Sequence, residues 1–317
     1  MLRRLDVFHG SSNPELSQEI CDHLGIQPGK VKLKKFSNGN IKVKIEENIR
    51  NADVFVIQSA SDPVNDNLVE LLIMIDALKY ASAGRITAVL PSYFYARSDK
   101  KDEPRISVTA RLVTDLLQTA GAHRILSMTM HSPQIMGFPR IPMDQLYATK
   151  NLIHHYQQKD LSNAVVAAPD VGSAKESRTF ARALDLPMVI LDKERIGDKE
   201  QVVMRNIIGD PKDKDVLLMD DEILSGGSII EAAKMLQDHG ANRIWAGCTH
   251  GFFTQNALDK IQESCIEQVV TTNTISQIKN AHYSKLKVLS VAQLFADAIN
   301  AIHKGESVGA LLGETTK

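Results

Sequence analysis

Cysteine is scarce in this chain of 317 residues: there are 3, namely Cys21, Cys248 and Cys265, scattered without the paired spacing of structural zinc sites. An odd, dispersed set excludes a disulfide framework and fits a chain kept reduced in the cytoplasm. An excess of charge of either sign is also missing. Lys and Arg number 37 against 38 Asp and Glu, a formal net charge of −1, which leaves no general cationic surface to attract nucleic acid. No apolar run reaches membrane-spanning length, and the opening Met1-Leu2-Arg3-Arg4-Leu5-Asp6 passes into a strand-like segment without a signal-type apolar stretch. The expectation is a cytoplasmic protein with neither a membrane nor a nucleic-acid partner. Pro-rich and low-complexity linkers are absent as well.

What is present is alternation. Strand-like runs at Val54–Ile57, Ile86–Leu90, Arg124–Met130, Val165–Ala168, Met188–Leu191, Val216–Met219 and Arg243–Ala246 are interleaved with helical periodicity, as at Leu68–Ala81 and Thr109–Leu117. Such an order predicts parallel βαβ units and an α/β fold class. The length suits two domains rather than one. Gly84, Gly121 and Gly240 follow helical runs, where a left-handed C-terminal residue is wanted. Gly121-Ala122-His123-Arg124-Ile125 is echoed by Gly240-Ala241-Asn242-Arg243-Ile244, which predicts two similar halves, with His131 opposite His250 and the break near Tyr147–Asn151. Residues 1–147 and 148–317 are the expected domains. Near the end, Ser290-Val291-Ala292-Gln293 reads as a capping box opening a helix that Gly305 closes.

The stretch with the clearest chemistry is Val216-Leu217-Leu218-Met219-Asp220-Asp221-Glu222-Ile223-Leu224-Ser225-Gly226-Gly227-Ser228. An apolar strand run stops at carboxylates that no sheet interior accepts unpaired. Two residues without Cβ then let backbone N–H groups approach an anion, and the following helix adds its positive end. A phosphate on the amides and neighbouring hydroxyls on Asp220 and Asp221 would suit a pentose 5-phosphate. No Gly-Lys-Ser/Thr follows, which excludes a Walker A loop, and the acids precede the glycines, which argues against a dinucleotide fingerprint.

Other stretches stay ambiguous on residues alone. Phe36-Ser37-Asn38-Gly39-Asn40 reads as a hairpin turn between Val31–Leu33 and the alternating Ile41, Val43, Ile45. Tyr93-Phe94-Tyr95-Ala96-Arg97-Ser98-Asp99-Lys100-Lys101 is a charged loop that either faces solvent or serves phosphates and a metal. His131, in Met130-His131-Ser132-Pro133-Gln134-Ile135-Met136-Gly137-Phe138, is structural or a ligand. Asp170-Val171-Gly172-Ser173 places a hard oxygen ligand suited to magnesium at a strand end. Asp192-Lys193-Glu194-Arg195 is a surface ion cluster or a set of cations that closes over a phosphoryl group.

These motifs, in this order, resemble the ribose-phosphate pyrophosphokinase family, which shares the type I phosphoribosyltransferase-like fold. The resemblance runs from Phe8-His9-Gly10-Ser11-Ser12-Asn13-Pro14-Glu15-Leu16 to Gly305-Glu306-Ser307-Val308. It implies transfer of the diphosphoryl group of Mg-ATP to O1 of ribose 5-phosphate, with AMP leaving. It also implies ATP contacts at Phe36, Asn38, Gly39, Asn40, Arg97, Ser98, Asp99 and His131, and Mg2+ at His131 and Asp170. Lys193 and Arg195 take the catalytic positions. Arg195, Asp220, Asp221, Leu224, Ser225, Gly226, Gly227 and Ser228 take those for ribose 5-phosphate. The implied assembly is a homo-oligomer built on dimers, up to a hexamer, in which the Phe36 loop serves a neighbour's site. The chain departs from the family pattern at Asn40 for Glu, Ser98 for Gln, Ser173 for Gly and Leu224 for Asp. Those departures motivate one rival, a non-catalytic or weakly active regulatory homologue. A phosphoribosyltransferase is the other, and it would lack the Phe36 and Arg97 motifs.

Overall fold

The structure is a computed structural model that describes residues 3–195, 202–309 and 311, without the side chains of 193–195 and 202–205. The chain divides into two compact units: residues to Tyr147 with Thr274–Ser276 and the chain from Ser290 onwards, and Ala148–Asn273 with Gln277–Leu289.

In the first unit the elements are β1 (Leu5–His9), α1 (Pro14–Leu24), β2 (Val31–Lys35), β3 (Ile41–Ile45), β4 (Asp53–Ile57), α2 (Val64–Tyr80), β5 (Arg85–Leu90), α3 (Thr109–Ala120), β6 (Arg124–Met128) and β7 (Met143–Leu146). The sheet runs β1-β4-β5-β6-β7 and is parallel throughout. Both faces of its central strands are buried, which is why Val54–Ile57 and Ile86–Leu90 read as continuous apolar runs instead of alternating ones. Strands β2 and β3 form a separate antiparallel ribbon with Lys35 opposite Ile41. Its alternation has a simple cause. Val31, Leu33, Val43 and Ile45 pack on the core, while Lys32, Lys34, Lys42 and Lys44 face out.

The second unit holds α4 (Thr149–Tyr156), β8 (Ala164–Ala168), α5 (Ala174–Leu184), β9 (Met188–Arg195), β10 (Val202–Ile208), β11 (Asp215–Ile223), α6 (Gly227–Asp238), β12 (Ile244–Gly251), α7 (Ala257–Glu263), β13 (Ile266–Thr272) and β14 (Leu286–Leu289). Its sheet order is β10-β9-β8-β11-β12-β13-β14, with β10 antiparallel at the edge and the rest parallel. The chain leaves β8 toward β9 on one side and returns as β11 on the other. That reversal is a topological switch point, and open α/β sheets bind ligands in the crevice at the carboxyl ends of the strands there. Among the described residues the first sheet has no strand beyond β1 and therefore no such point.

The last helix, α8 (Ala292–Lys304), belongs to the first unit, whereas a sequence boundary at 147/148 leaves it in the second. Arg85 explains its attachment. The guanidinium spans the buried Asp53 carboxylate (Nε to Oδ1 2.7 Å) and the Ile302 carbonyl at 2.9 Å, and His303 Nδ1 lies 2.9 Å from Asp53 Oδ2. Gly305, left-handed at φ 72°, ends the helix. At its start Ser290 Oγ accepts from Ala292 N at 3.1 Å and donates to Glu19 at 2.5 Å, and the N-cap position falls on Val291. The expected capping box is thus replaced by a tighter serine turn.

The topology also corrects the internal repeat. Strand β4 of the first sheet occupies the place of β11 in the second, and β5 that of β12. The entry into β12 therefore corresponds to Gly84-Arg85-Ile86, not to Gly121-Ala122. One ion pair proves the register: Arg85 meets Asp53 on β4, and Arg243 meets Asp215 on β11. His250 then corresponds to Ser92, not His131. Among the three glycines expected to be left-handed, Gly121 (φ 124°) and Gly240 (φ 86°) are, but after α2 the left-handed residue is Ser82 at φ 66°. Gly84 is needed for space, because a Cβ there would come within 2.9 Å of the Asn51 carbonyl oxygen.

Candidate active site

The acids of the second unit lie inside β11, which continues through Ile223 and does not stop at Met219. Asp220 pairs in register with Cys248, and Glu222 with His250. Asp170 follows β8, the neighbour of β11, and its charge reaches Asp220. Carboxylates thus flank the switch point from both of its strands. Asp220 is half-buried, and its carboxyl is held well above the ordinary range, first by burial and then by the charges of Asp221 and Asp170. Their shared field is the electrostatic signature of a site awaiting a cation or several hydroxyl donors. Burial likewise pushes the Cys248 thiol up, and it donates to Thr271 Oγ1 at 3.4 Å, so it is a packed side chain.

Beyond Ile223 the chain turns through Leu224, Ser225 and Gly226 into α6. Gly226, left-handed at φ 77°, holds the N-cap position and supplies no side-chain cap. The amides of the first turn therefore have no intrahelical partner. Gly227 is exposed, and a Cβ built on it would meet only Ser225 Oγ, at 3.9 Å. A second loop braces this turn, which sequence reasoning did not find. Thr254 N donates to Leu224 O at 2.9 Å, Phe252 N donates to Ile223 O at 2.9 Å, and a Cβ on Gly226 would lie 3.3 Å from Ala257 Cβ. Phe253, Gln255 and Asn256 hold positive φ (47°, 53° and 58°). Only Asn256 is a residue type that signals this conformation.

After β8, the Asp170 carboxylate folds over Gly172 and accepts the Ser173 amide at 2.8 Å, while Ser173 Oγ donates to Asp170 O at 3.0 Å and accepts from Asp170 N at 3.3 Å. Among the described residues no set of three or more His, Cys, Asp and Glu side chains forms a metal-holding cluster. The donors present still fit magnesium, which takes one or two carboxylates and completes its shell with phosphate oxygens and water. Asp170 is such a donor. Lys193 and Arg195 lie at the end of β9, and their side chains fall outside the described residues, as does the polar segment 196–201.

The residues expected to meet ATP lie in the first unit. Phe36 is 42% exposed at the tip of the β2-β3 ribbon, where Gly39 (φ 87°) makes the turn, Asn38 Oδ1 accepts from Asn40 N at 3.1 Å, and Phe36 N donates to Asn40 O at 2.8 Å. The Lys34 ammonium lies over the Phe36 ring, 5.1 Å from the centroid. Arg97 and His131 are also exposed. Ser98 is not turned outward: its hydroxyl takes the Thr109 amide at 3.3 Å and donates to Ser107 O at 3.2 Å, fastening the loop to the start of α3. Asp99 is 7% exposed and accepts from Gln134 at 2.8 Å, which joins the Arg97 loop to the His131 loop. Both serve the site's framework. Tyr93, whose hydroxyl is pushed up to about 12 by burial, anchors the base of the same loop on Thr114 at 2.6 Å.

A doubly wound α/β sheet carrying acids at its switch point, beside a glycine turn and an open helix end, defines a protein of the type I phosphoribosyltransferase-like class. The chain is 47% identical to the ribose-phosphate pyrophosphokinase of Deinococcus radiodurans over 96% of this chain and 97% of that one, and 47% identical to that of Caldanaerobacter subterraneus over 97% of each. It belongs to the ribose-phosphate pyrophosphokinase family. Residues 5–121 match the N-terminal domain of ribose phosphate pyrophosphokinase, and residues 196–313 match the phosphoribosyl synthetase-associated domain. The fold agrees with the crystal structure of phosphoribosylpyrophosphate synthetase from Mycobacterium smegmatis at a TM-score of 0.91 and 37% identity, covering 96% of this chain and 100% of that one.

Proposed function

We propose that the protein makes 5-phosphoribosyl 1-diphosphate: O1 of ribose 5-phosphate attacks the β-phosphorus of ATP, the bond from that phosphorus to the α-phosphate oxygen breaks, and AMP leaves. The observation that carries this reading is the pairing of Asp220 and Asp221 with the uncapped first turn of α6 at the switch point. The backbone amides of Gly227 and Ser228 take the 5-phosphate, and Gly227 lets it come close. Asp220 and Asp221 accept hydrogen bonds from the ribose hydroxyls and fix the ring. Leu224 supplies apolar wall where a further acceptor would otherwise stand.

Phosphoryl transfer asks the protein for position and charge neutralisation rather than covalent chemistry. Lys193 and Arg195 provide positive charge for the transferring group, and Arg97 provides it for the nucleotide. Phe36, Asn38, Gly39 and Asn40 receive the adenine, with Asp99 and Ser98 holding the Arg97 loop in shape. Asp170 would hold Mg2+, which when bound would neutralise phosphate oxygens. Incubating the purified protein with ATP, Mg2+ and ribose 5-phosphate tests the reading: AMP and the diphosphorylated sugar support it, and ADP or no product rejects it.

The protein acts in the cytoplasm as a homo-oligomer in which one copy's ribbon tip, carrying Phe36, serves the nucleotide of the next. Sedimentation across a dilution series checks this, since full activity in a monomer would contradict it.

A further inference from the structure

We propose that Ser173 is a positioning residue for the cation site, acting through Asp170; the inference rests on the functional reading above. The turn after β8 is tied to itself at three points, and two of them belong to the Ser173 hydroxyl. It donates to Asp170 O at 3.0 Å and accepts from Asp170 N at 3.3 Å, so it grips both backbone polar groups of the residue whose carboxylate it serves. The third tie is the Ser173 amide, which donates to Asp170 Oδ1 at 2.8 Å. Gly172 is what allows the fold-back: a Cβ there would stand 3.0 Å from that same Oδ1.

The consequence is directional. A carboxylate on a free turn samples several rotamers, and most of them point its charge into water. The Ser173 amide selects one by holding Oδ1 at 2.8 Å. A fixed negative field is costly to the empty protein and favourable once a cation enters. Preorganisation of this kind appears as cation affinity, because the ligand need not bear the cost of ordering its donor. The hydroxyl holds the backbone that carries this carboxylate. A glycine at 173 would keep the amide tie but lose both hydroxyl bonds and gain backbone freedom.

The test uses the full-length protein and Mn2+ as a spectroscopic substitute for Mg2+, titrated by calorimetry or by the loss of its free electron-spin signal. Ser173→Ala should weaken the cation about threefold to tenfold, the range of one to two lost neutral hydrogen bonds, and Ser173→Gly should weaken it further. Ser173→Thr, which keeps the hydroxyl, should restore wild-type affinity. In turnover assays the KM for the cation should rise in the same order with kcat changed less than twofold. Thermal melts of each variant without cation separate this from misfolding, since a folded variant with weakened Mn2+ binding is the expected result. Unchanged Mn2+ affinity in Ser173→Ala and Ser173→Gly, or failure of Ser173→Thr to restore it, overturns the proposal. Should the wild type bind Mn2+ yet form no 5-phosphoribosyl 1-diphosphate, the functional reading fails while the affinity series still decides the role of Ser173.

Discussion

Adding one methyl group at Gly226 or at Gly227 should have opposite effects on folding and on ribose 5-phosphate. At Gly226 the backbone is left-handed at φ 77°, and the new Cβ would stand 3.3 Å from Ala257 Cβ. An L-residue in that conformation costs about 1–2 kcal/mol, before any movement of Ala257. For a chain of this size that amounts to a melting temperature lower by roughly 1.5–3 °C. Gly227 is the first residue of α6, its φ is not positive, and the methyl meets only Ser225 Oγ at 3.9 Å. Replacing glycine at a compatible helical position stabilises by about 0.4–1 kcal/mol, so Gly227→Ala should melt at or slightly above the wild type. The ligand feels the reverse. A methyl on the open side of the first turn keeps a phosphate off the amides, and losing a charge-assisted hydrogen bond costs about 1.5–3 kcal/mol, a rise in KM for ribose 5-phosphate of roughly tenfold to a hundredfold. Melting curves and steady-state kinetics on the two variants read both quantities. A Gly227→Ala protein with normal stability and normal KM for ribose 5-phosphate would show that this turn does not cradle the phosphate.

Three further outcomes follow from the same site. Leu224→Asp adds an acceptor beside the ribose, and it should lower KM for ribose 5-phosphate against arabinose 5-phosphate by about tenfold, the value of a single charged hydrogen bond; equal KM values before and after would remove Leu224 from sugar selection. Asp220→Asn should make the protein more stable and leave it unable to use ribose 5-phosphate. The Asp220 carboxyl lies above its unfolded value, so its protonated form favours folding at low pH, and that contribution is lost as pH rises from the ordinary carboxylate range through the folded value. The stability advantage of Asp220→Asn over wild type should therefore be larger at pH 8 than at pH 4 in urea unfolding, and a constant difference would contradict the burial and repulsion argument. Lys193→Ala should reduce kcat by orders of magnitude with ATP binding retained, because its charge acts in the transition state; near-normal turnover would take Lys193 out of the mechanism.

Much of this architecture was legible in the residues, and the misses have physical causes. Parallel strands buried on both faces, such as Val54–Ile57 and Val216–Met219, announce themselves as apolar runs, and the Phe36–Asn40 hairpin follows from Asn-Gly between alternating strands. The end of β11 was misplaced because carboxylates normally stop a strand, whereas Asp220 and Glu222 remain in register with β12 at the open end of the sheet. The repeat was misaligned because a glycine exit from a helix is a local signal that recurs at every βα unit; only the Arg85–Asp53 and Arg243–Asp215 pairs, which join distant residues, fix the correspondence. For the same reason the loop at 252–257 was invisible: nothing in Phe253 or Gln255 announces a left-handed backbone. At Ser98 and Asp99 the hydrogen bonds to the start of α3 and to Gln134 fasten the loop, ties that the local motif does not announce.

The central claim is that a diphosphoryl group moves as one piece from ATP to the sugar. It is tested most directly with ATP carrying one phosphorus isotope at the β position and another at the γ position, mixed with the purified protein, Mg2+ and ribose 5-phosphate. Both isotopes should appear in the sugar product in equal amounts, with unlabelled AMP formed in the same quantity. Transfer of the γ label alone with formation of ADP, or release of both labels as free diphosphate, would contradict it.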